Sequence, residues 1–509
     1  MADCSLPDWL APLYDAEQMR AIDRWAIEQR GVAGRTLMER AGSGLAVIAD
    51  RTVPRGQIVI VCGKGNNGGD GFVAGRLLRA MGRSARVLLL AASEEYQGDA
   101  AENLLLLDGV HEPFTPDALA DAAVIVDAIF GTGFDGKPRG LAKEALEALA
   151  PLQTPVVAAD IASGVNASNG AAAGCSVRAT VTATFGAAKL GHWISPGKQH
   201  TGELHVIDIG IPADAPVTPA AGLLTPRVHG GVPGRESAGT KFSSGHVVVA
   251  GGSRGLTGAP CLAAEAAMRA GAGYVTVAVP RSLEIVFETR LLEVMTRGLP
   301  DEDGALSPSA ADELLEAAQR AGALVLGPGA GRSEQAFAFV RDVAVRAPLA
   351  LLLDADGLNA HAGALASLAG RQAPTILTPH VGELARLLAT TSDDVGAHRL
   401  SSARAAAVEA QAIVVLKGDD TIVVAPDGAV AINDLGSPAL ATAGTGDVLS
   451  GVIGALLAKG LDPFAAACAG VRRHAAAGRV AADAIGADGV IARDVIAALP
   501  RALDGEPAE

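Results

Sequence analysis

Strands and helices alternate along most of this chain, and the alternation stops only once, between about residues 211 and 244. Before the break the strand-like runs read IVIVC, RVLLL, AVIVDA, PVVAAD and ELHVIDIG. After it they read HVVVAGG, YVTVAVP, ALVLGPG, LALLLDAD, PTILTP, AIVVLKG and TIVVAPDG. Parallel neighbours need a crossover connection, which is usually a helix. The pattern therefore predicts parallel sheets with helices on both faces, as in α/β folds.

The break divides the chain into two predicted domains of unequal size. It is rich in proline, glycine and small polar residues and has no apolar period, which is typical of a linker. We place the first domain at residues 1–220, the linker at 221–240 and the second domain at 241–509. Apolar residues at helical spacing predict helices over Asp15–Gln29, Gly71–Met81, Asp447–Lys459 and Pro463–Ile485.

Composition argues against several classes of function. The net charge of −15 offers no basic surface for nucleic acid. The five cysteines lie far apart without a C-x-x-C pair, which predicts free thiols rather than a zinc knuckle or a disulfide framework. No apolar run reaches the ~18 residues of a membrane helix, and the first residues lack the pattern of a signal peptide. We expect a cytoplasmic protein that binds neither nucleic acid nor a membrane.

The segment GKGNNGGDG, at residues 63–71, follows the strand-like run IVIVC. Glycines after a strand let the backbone approach a phosphate, and the next helix offers free N–H groups there. The same residues could form a tight turn without a ligand. Asn66, Asn67 and Asp70 are unusual for a dehydrogenase loop, although asparagine also suits a left-handed turn.

Two later strand ends carry polar residues as well. VDAIFGTGFDGK places Asp127 at a strand end and a glycine loop after it, and AADIASG places Asp160 and Ser163 at another. Each aspartate alone is more typical of a helix cap. Together they predict one polar rim, because ligands of parallel sheets bind beyond the carboxyl ends of the strands. Amide, hydroxyl and carboxylate oxygens form a set suited to an alkali or alkaline-earth ion.

GNNGGDG, VDAIFGTG and DIASGV, preceded by LMERAG, resemble the NAD(P)H-hydrate epimerases over roughly residues 12–212. The resemblance implies a Rossmann-like three-layer αβα sandwich and a potassium ion held by Asn67, Asp127 and Ser163. It implies that Asp160 faces the reacting ring as the catalytic acid–base group. The hydrated dinucleotide would be bound by Asn66, Asn67, Gly68, Gly69, Asp70, Gly131, Thr132, Gly133, Phe134, Asp135, Gly136, Lys137 and Asp160.

In the second half, TAGTGDVLSG opens a long apolar helix with Gly444, Gly446 and Asp447. Small residues at a helix N-terminus leave N–H groups free to hold a phosphoryl group. Asp447 stands where it could take a proton from an attacking hydroxyl. The alternative is that Asp447 only interacts with the helix dipole.

Other strand ends of this half carry polar residues that strengthen the catalytic interpretation. DADGLN contributes Asp354, Asp356 and Asn359, TPHVGE contributes His380 and Glu383, and LKGDDT contributes Lys417, Gly418 and Thr421. GPGAG (residues 327–331) and GGSRGLTGA (residues 251–259) supply loops with little side-chain bulk.

DADGLN, TPHVGE, LKG with a following threonine, and AGTGDVLSG resemble the NAD(P)H-hydrate dehydratases of the ribokinase-like superfamily, over about residues 230–500. The resemblance implies a larger ribokinase-like αβα domain that uses ADP and magnesium. ADP would be bound by Lys417, Gly418, Asp419, Asp420, Thr421 and Gly446. Gly329, His380 and Asp447 would contact the hydrate, with Asp447 as the base. The chain departs from the family at Lys241-Phe242-Ser243-Ser244-Gly245, so Lys241 is not counted as a site residue.

The two resemblances together imply a nicotinamide nucleotide repair enzyme. Its first domain would interconvert the R and S forms of NADH hydrate and NADPH hydrate. Its second would dehydrate the S form with ADP, giving AMP and phosphate. We expect a homo-oligomer. The alternative is a kinase of a small alcohol, such as a vitamin precursor or a sugar, fused to a non-catalytic Rossmann-like binding module.

Overall fold

The structure is a computed structural model that describes residues 6–172, 174–235 and 237–502. These residues form two compact units. Among the described residues, one contains Leu6 and Pro12–Ala221, and the other combines Pro7–Ala11 with the residues from Gly222 onward. Each unit is built around a large sheet with helices, so the predicted architecture of two α/β domains is confirmed.

The first part of the chain supplies a seven-stranded sheet and six helices. In chain order its elements are β1 (Leu10–Leu13), α1 (Ala16–Glu28), α2 (Gly34–Thr52), β2 (Gln57–Cys62), α3 (Asn66–Ala80), β3 (Ala85–Leu89), α4 (Gly98–Leu105), β4 (Glu112–Pro113), β5 (Ala122–Ala128), α5 (Gly140–Leu149), β6 (Val156–Ala159), β7 (Val181–Phe185), α6 (Lys198–Thr201) and β8 (Glu203–Ile207). The sheet order is β4-β3-β2-β5-β6-β7-β8, with parallel pairing throughout. β1 belongs to the other sheet.

Two features of this unit differ from the sequence-based expectations. α3 begins at Asn66, not near Gly71, so most of the predicted glycine loop is the first turns of a helix. The helix fits there because Gly68 and Gly71 pack closely against Gly63 and Cys62, where a Cβ atom would collide. The run VTATF was not recognised as a strand, yet it forms β7 in the sheet.

An eleven-stranded sheet, which also includes β1, and a separate two-stranded hairpin belong to the second unit. Its strands are β9 (Ala221–Leu224), β10 (His246–Ala250), β11 (Tyr274–Pro280), β12 (Met295–Leu299), β13 (Asp301–Glu302), β14 (Ala305–Leu306), β15 (Ala323–Leu326), β16 (Ala350–Leu353), β17 (Thr375–Leu377), β18 (Ile413–Leu416), β19 (Ile422–Val424) and β20 (Val430–Ile432). The order is β1-β9-β20-β19-β18-β17-β16-β15-β10-β11-β12, while β13 and β14 form a separate hairpin. Pairing is parallel from β12 to β18 and antiparallel across β18, β19 and β20.

Helices cover this sheet. They are α7 (Gly258–Arg269), α8 (Glu284–Glu288), α9 (Ala311–Ala317), α10 (Glu334–Arg346), α11 (Asp356–Asn359), α12 (Val381–Leu387), α13 (Ser392–Ala397), α14 (Arg399–Ala410), α15 (Thr445–Ala458), α16 (Pro463–Ile485) and α17 (Ala492–Ala498). Small residues let the layers approach closely. A Cβ atom on Gly451 of α15 would lie 2.0 Å from the carbonyl oxygen of Ala263 in α7. No helix among the described residues is long and apolar enough to cross a membrane.

Two short segments of the second unit come from outside the predicted second domain. Residues 222–224, within the predicted linker, are the part of β9 that belongs to this unit, and they pair with β20. Pro7–Ala11, from the start of the chain, also belong to this unit. There the backbone N–H and the side-chain hydroxyl of Thr225 both donate hydrogen bonds to the carbonyl oxygen of Trp9.

Candidate active sites

The first candidate site lies at the carboxyl ends of β2, β5, β6 and β7. Asn67 stands in the first turn of α3 with only 7% of its surface exposed, and neither its amide nitrogen nor its amide oxygen has a hydrogen-bond partner. A Cβ atom on Gly131 would lie 3.2 Å from Asn67 Oδ1 and 3.3 Å from Asp160 Oδ2. The loop after β5 therefore brings the amide and the carboxylate to the same place. A buried amide without a partner is unusual, and both polar atoms of Asn67 are available to a ligand.

Asp160 follows β6 and pairs with Lys189, which follows β7. Lys189 Nζ donates hydrogen bonds to Asp160 Oδ1 at 2.5 Å, Thr184 Oγ1 at 2.8 Å and the Phe185 carbonyl oxygen at 2.8 Å. Asp160 Oδ2 accepts hydrogen bonds from the backbone N–H of Thr132, at 3.0 Å, and from its hydroxyl. Burial raises the pKa of Asp160, but Lys189 and Thr132 outweigh burial and lower the pKa to about 2. This carboxylate is ionised at neutral pH.

His192 holds the backbone of Asp160 in place. Its Nδ1 accepts a hydrogen bond from the Lys189 backbone N–H at 3.0 Å, so its Nε2 donates to the Asp160 carbonyl oxygen at 2.9 Å. Burial, together with the charge of Lys189, lowers the pKa of His192 to about 4 and keeps the ring neutral. Asp160 has a φ of 65°, a left-handed conformation that persists only where the surroundings fix it.

Asp127 and Ser163 form a second buried pair at the same rim. Ser163 donates to the Asp127 carboxylate through its hydroxyl at 2.6 Å and through its backbone N–H at 2.8 Å. Ser163 Oγ also accepts the Phe130 N–H at 2.8 Å. Burial raises the pKa of Asp127 to about 6, although these hydrogen bonds oppose the shift. The pair borders the loop that carries Gly131 and Thr132.

The remaining predicted substrate residues of this unit divide into buried and exposed groups. Gly68, Gly69 and Asp70 are buried in α3, and burial raises the pKa of Asp70 well above its usual value. Asn66, Gly133, Asp135, Gly136 and Lys137 are exposed, while Phe134 is half-buried and stacks on Phe130 with ring centroids 4.7 Å apart. A surface loop and a buried carboxylate cluster thus meet at Gly131 and Thr132.

The second candidate site lies at the start of α15. Gly444 precedes the helix with a φ of 91°, and Asp447 stands in its first turn. Burial and the negative charge of Asp354 raise the pKa of Asp447 to about 7. Gly446 lies next to Lys417, since a Cβ atom on Gly446 would be 3.3 Å from Lys417 Nζ. A carboxyl group with a pKa near neutrality, beside free helix N–H groups, suits general-base catalysis of phosphoryl transfer.

Lys417 connects several acidic residues of this rim. Its Nζ donates to Asp354 Oδ1 at 3.0 Å and lies 3.7 Å from Glu383 Oε2. Asp354 Oδ2 accepts the Ser450 hydroxyl at 2.7 Å. Burial lowers the pKa of Lys417, but the charges of Asp354 and Glu383 leave it above its usual value. Lys417 is therefore a fixed positive charge next to Asp447.

His380 and Gly329 approach this rim from neighbouring loops. His380 caps α12, where its Nδ1 accepts the N–H of Gly382 at 2.9 Å and its own N–H donates to Glu383 Oε2 at 2.9 Å. Burial lowers the pKa of His380. Gly329 has a φ of 62°, and a Cβ atom there would lie 3.4 Å from that of Ala259 in α7. The loop that carries Gly329 thus packs closely against the residues before α7, because a Cβ atom there would lie 2.5 Å from the Leu256 carbonyl oxygen.

The predicted nucleotide residues form the turn between β18 and β19. The Thr421 hydroxyl donates to the Gly418 carbonyl oxygen at 2.7 Å and accepts the Gly418 N–H at 3.2 Å. Asp420 is buried, and its carboxylate forms a two-point ion pair with Arg399 at 2.7 and 2.9 Å. Asp419 is exposed. The Asp420 side chain thus fixes the turn, which leaves its backbone to face a ligand.

Two functional candidates were missed in the sequence. Lys189, in the run FGAAKLGH, could have been found because it follows a strand end, but that strand was not recognised. His474 in the middle of α16 carries no sequence signal; it is buried, hydrogen-bonds the Thr445 backbone, and its Nε2 has no partner. No group of three or more histidine, cysteine or acidic side chains able to hold a metal ion occurs among residues 6–172, 174–235 and 237–502.

Comparison with known proteins identifies both halves of the chain. Residues 34–191 match the family described as YjeF-related protein N-terminus, and residues 247–501 match the family described as NAD(P)H-hydrate dehydratase. Curated relatives named bifunctional NAD(P)H-hydrate repair enzyme Nnr match at full length. The Moorella thermoacetica protein is 41% identical and the Salinibacter ruber protein 38% identical, each over 96% of both chains. The Escherichia coli protein is 33% identical over 97% of this chain and 94% of its own.

A solved structure also resembles the second half. It is the ADP/ATP-dependent NAD(P)H-hydrate dehydratase of Bacillus subtilis, crystallised with ATP and magnesium. The match is 28% identical with a TM-score of 0.48, and it covers 56% of this chain and 98% of that one.

Proposed function

This chain belongs to the family of bifunctional NAD(P)H-hydrate repair enzymes, and from that premise we propose which residues carry out its two reactions. It is an enzyme that epimerises NAD(P)H hydrate and dehydrates the S form to NAD(P)H. We assign the epimerase to the unit that contains Asp160 and the dehydratase to the unit that contains Asp447. The observation that carries the proposal is Asp447, a carboxyl group with a pKa of about 7 in the first turn of α15.

In the epimerase site Asp160 acts on the hydroxyl-bearing carbon of the hydrate. The hydroxyl group takes up a proton from solvent and leaves as water, which gives a planar cation, and water can then add to either face with release of one proton. Because Lys189 and Thr132 keep Asp160 ionised, its carboxylate can accept the proton of the attacking water and return it in the reverse step. Lys189 and His192 are positioning residues, since they hold the carboxylate and the carbonyl of Asp160.

We assign a potassium site to Asn67, Asp127 and Ser163. Two observations support it: the buried Asn67 amide has no partner, and the three side chains offer oxygen atoms, which hard cations prefer. When bound, such an ion supplies a fixed positive charge and orders the loop over the substrate. The exposed loop of residues 131–137 and the first turn of α3 would contact the dinucleotide.

In the dehydratase site Asp447 takes the proton from the hydrate's hydroxyl. The oxygen attacks the terminal phosphoryl group of ADP, and AMP leaves. Phosphate then leaves the ring carbon with loss of a proton from the adjacent carbon, which restores the double bond. Gly444 and Gly446 offer helix N–H groups to the transferred phosphoryl group, and Lys417 adds positive charge. Hydroxide is a poor leaving group and phosphate a good one, so phosphorylation makes the dehydration possible.

ADP is expected on the turn of Lys417–Thr421, with Gly446 beside it. When bound, magnesium would neutralise part of the negative charge of the phosphates. It commonly binds through substrate phosphates and one or two carboxylates. Because Lys417 and Ser450 already engage both oxygens of Asp354, the phosphates of ADP would supply most of the ligands at this rim.

We further propose a homo-oligomer in the cytoplasm. Leu105, Leu106 and Val110 expose their apolar side chains around the end of α4, and a patch of this kind suits an interface between copies. Light scattering of the purified protein tests the oligomeric state. A monomer at micromolar concentration would contradict the proposal.

The test of function mixes the protein with racemic NADH hydrate, ADP and magnesium and follows the return of reduced-nicotinamide absorbance. Full recovery with one phosphate released per NADH supports both activities. Recovery that slows sharply near half contradicts the epimerase assignment. A stable phosphorylated alcohol in place of free phosphate would favour the small-alcohol kinase.

A further inference from the structure

A cleft of about 180 Å³ in the second unit is not used by any residue assigned above. It is lined by Gly258, Cys261, Leu262, Glu265, Arg290, Ala443, Ile491, Ala492 and Arg493. Its volume is below the ~300–1,000 Å³ of pockets that enclose a whole drug-sized ligand. The cleft therefore suits one part of a larger molecule.

The cleft borders the dehydratase site at two points. Leu262 Cδ1 would lie 2.7 Å from a Cβ atom on Gly444, which stands three positions before Asp447. On the other side, Gly329 packs against Ala259, the neighbour of Gly258 in the first turn of α7. A ligand that reaches from Gly329 and Asp447 along α7 would enter the cleft.

The charged side chains of the cleft are available for a ligand. Arg290 and Arg493 are exposed, and among the described residues neither side chain forms an ion pair or hydrogen bond. Guanidinium groups bind phosphate through paired hydrogen bonds. Glu265 adds a carboxylate, the group that commonly binds ribose hydroxyls in dinucleotide sites. Two arginines and one carboxylate match the pyrophosphate and ribose of a nucleotide.

Three positive side chains close to the dehydratase residues are already engaged. Arg332 pairs with Asp356 at 3.0 Å, and Arg386 donates to Asn359 at 2.9 Å. Lys417 is held by Asp354. The hydrated dinucleotide carries two phosphates in addition to its reacting ring, and these three cations are not free to pair with them.

We propose that this cleft binds the pyrophosphate and adenosine half of the dinucleotide hydrate, with Arg290 and Arg493 on the pyrophosphate and Glu265 on the adenosine ribose. The inference rests on the proposed dehydratase function. It adds a subsite that anchors the substrate away from the reacting carbon. We expect these contacts to strengthen the ground state and the transition state equally, so that their loss raises KM and leaves kcat unchanged.

The test compares Arg290→Ala/Arg493→Ala with the wild type and with the control Arg320→Ala, an exposed arginine outside the cleft. Assays contain only the purified S hydrate, ADP and magnesium. We expect the KM for NADH hydrate to rise roughly 100-fold or more, since two arginines are removed and a hydrogen bond to a charged group contributes ~1.5–3 kcal/mol, or roughly 10- to 100-fold, for each of them. The kcat and the KM for ADP should stay within about twofold of the wild type, as in the control.

The KM of the double variant for NADPH hydrate should rise by the same factor, because both substrates carry the pyrophosphate. An unchanged KM for the hydrate would overturn the proposal. So would a raised KM for ADP, which would assign the cleft to the co-substrate, or a loss confined to NADPH hydrate, which would assign it to the 2′-phosphate. A wild-type protein that forms no NADH refutes the dehydratase function itself, which is a separate outcome.

Discussion

Replacing Lys189 with methionine tests the central feature of the epimerase site. Lys189 is 1% exposed, and its ammonium group makes three hydrogen bonds, one of them to Asp160. Methionine fills similar space but leaves the Asp160 carboxylate buried with the hydroxyls of Thr132 and Thr184 as its side-chain donors and no positive charge beside it. We expect loss of epimerase activity together with loss of stability.

The size of the effect follows from the pKa of Asp160. Its shift from the ordinary 3.8 to about 2 corresponds to roughly 2–3 kcal/mol in favour of the ionised folded form. In the wild type this contribution is complete above about pH 4 and is lost as the pH falls through about 2. Removing one partner of a buried ion pair costs ~3–5 kcal/mol, because the remaining charge stays buried. We expect Lys189→Met to lower the free energy of unfolding by about that amount at pH 7.

The pH dependence of the variant should have the opposite sign. Without Lys189, burial raises the pKa of Asp160, so the protein gains stability as the pH falls and Asp160 becomes neutral. Denaturant titrations at several pH values measure this by tryptophan fluorescence, since Trp25 and Trp193 both lie in this unit. With racemic hydrate and ADP, the variant should recover NADH quickly to about half and then slow sharply, because the dehydratase is intact.

Two further variants make the result interpretable. Lys143→Met removes an exposed lysine that pairs with Glu147 at 3.4 Å, and it should change stability by less than ~0.5 kcal/mol. Asp160→Asn/Lys189→Met removes both charges and should be more stable than Lys189→Met, yet inactive as an epimerase. Normal stability and full recovery of both hydrate forms by Lys189→Met would refute the reasoning.

Three other changes address the remaining site residues. Asp447→Asn should abolish NADH formation with little change in ADP affinity. In the wild type the rate of NADH formation should rise about tenfold per pH unit up to about pH 7 and then level off, since the base must be ionised. A flat rate profile from pH 5 to 8 would contradict the role of Asp447 as the base. Asn67→Leu should have an unfolding midpoint within about two degrees of the wild type, because the Asn67 amide has no hydrogen-bond partner to lose. The variant should also have the same epimerase rate in potassium chloride as in tetramethylammonium chloride. An epimerase rate that still depends on potassium would exclude Asn67 as a ligand. In Gly444→Ala the new Cβ atom would lie 2.7 Å from Leu262. The control is Gly460→Ala, because Gly460 also has a positive φ, 85°, but has open space around it. Gly444→Ala should lower the free energy of unfolding by at least ~1 kcal/mol more than the control, and equal thermal midpoints would show that the contact with Leu262 is unimportant.

The fold of both units could be predicted because buried parallel strands are near-continuous apolar runs. The strand β7 was missed because VTATF carries threonine at every second position, so it is not a continuous apolar run. Its omission also hid Lys189, since the pairing of Lys189 with Asp160 depends on the neighbouring positions of β6 and β7 in the sheet.

The direction in which side chains point was the second feature that could not be predicted from the sequence. The positions of Asp127, Asp160 and Ser163 at strand ends were enough to predict a shared rim. The run LKGDDT gave no sign that Asp420 turns inward to Arg399, because that partner is 21 residues away in sequence. The spacing of the glycines predicted a loop at residues 66–70, but close packing of Gly68 and Gly71 makes it a helix.

The placement of Pro7–Ala11 has a practical consequence for anyone who divides this protein. Because these residues belong with Gly222 and its successors, residues 12–221 of the first unit lie between two chain segments of the other, and one cut near residue 220 does not separate the units cleanly. A fragment that starts after residue 220 would lack β1 and leave the edge of β9 open to pairing with other chains. A synthetic peptide spanning β1 should bind that fragment and restore its solubility, in the manner of donor-strand complementation.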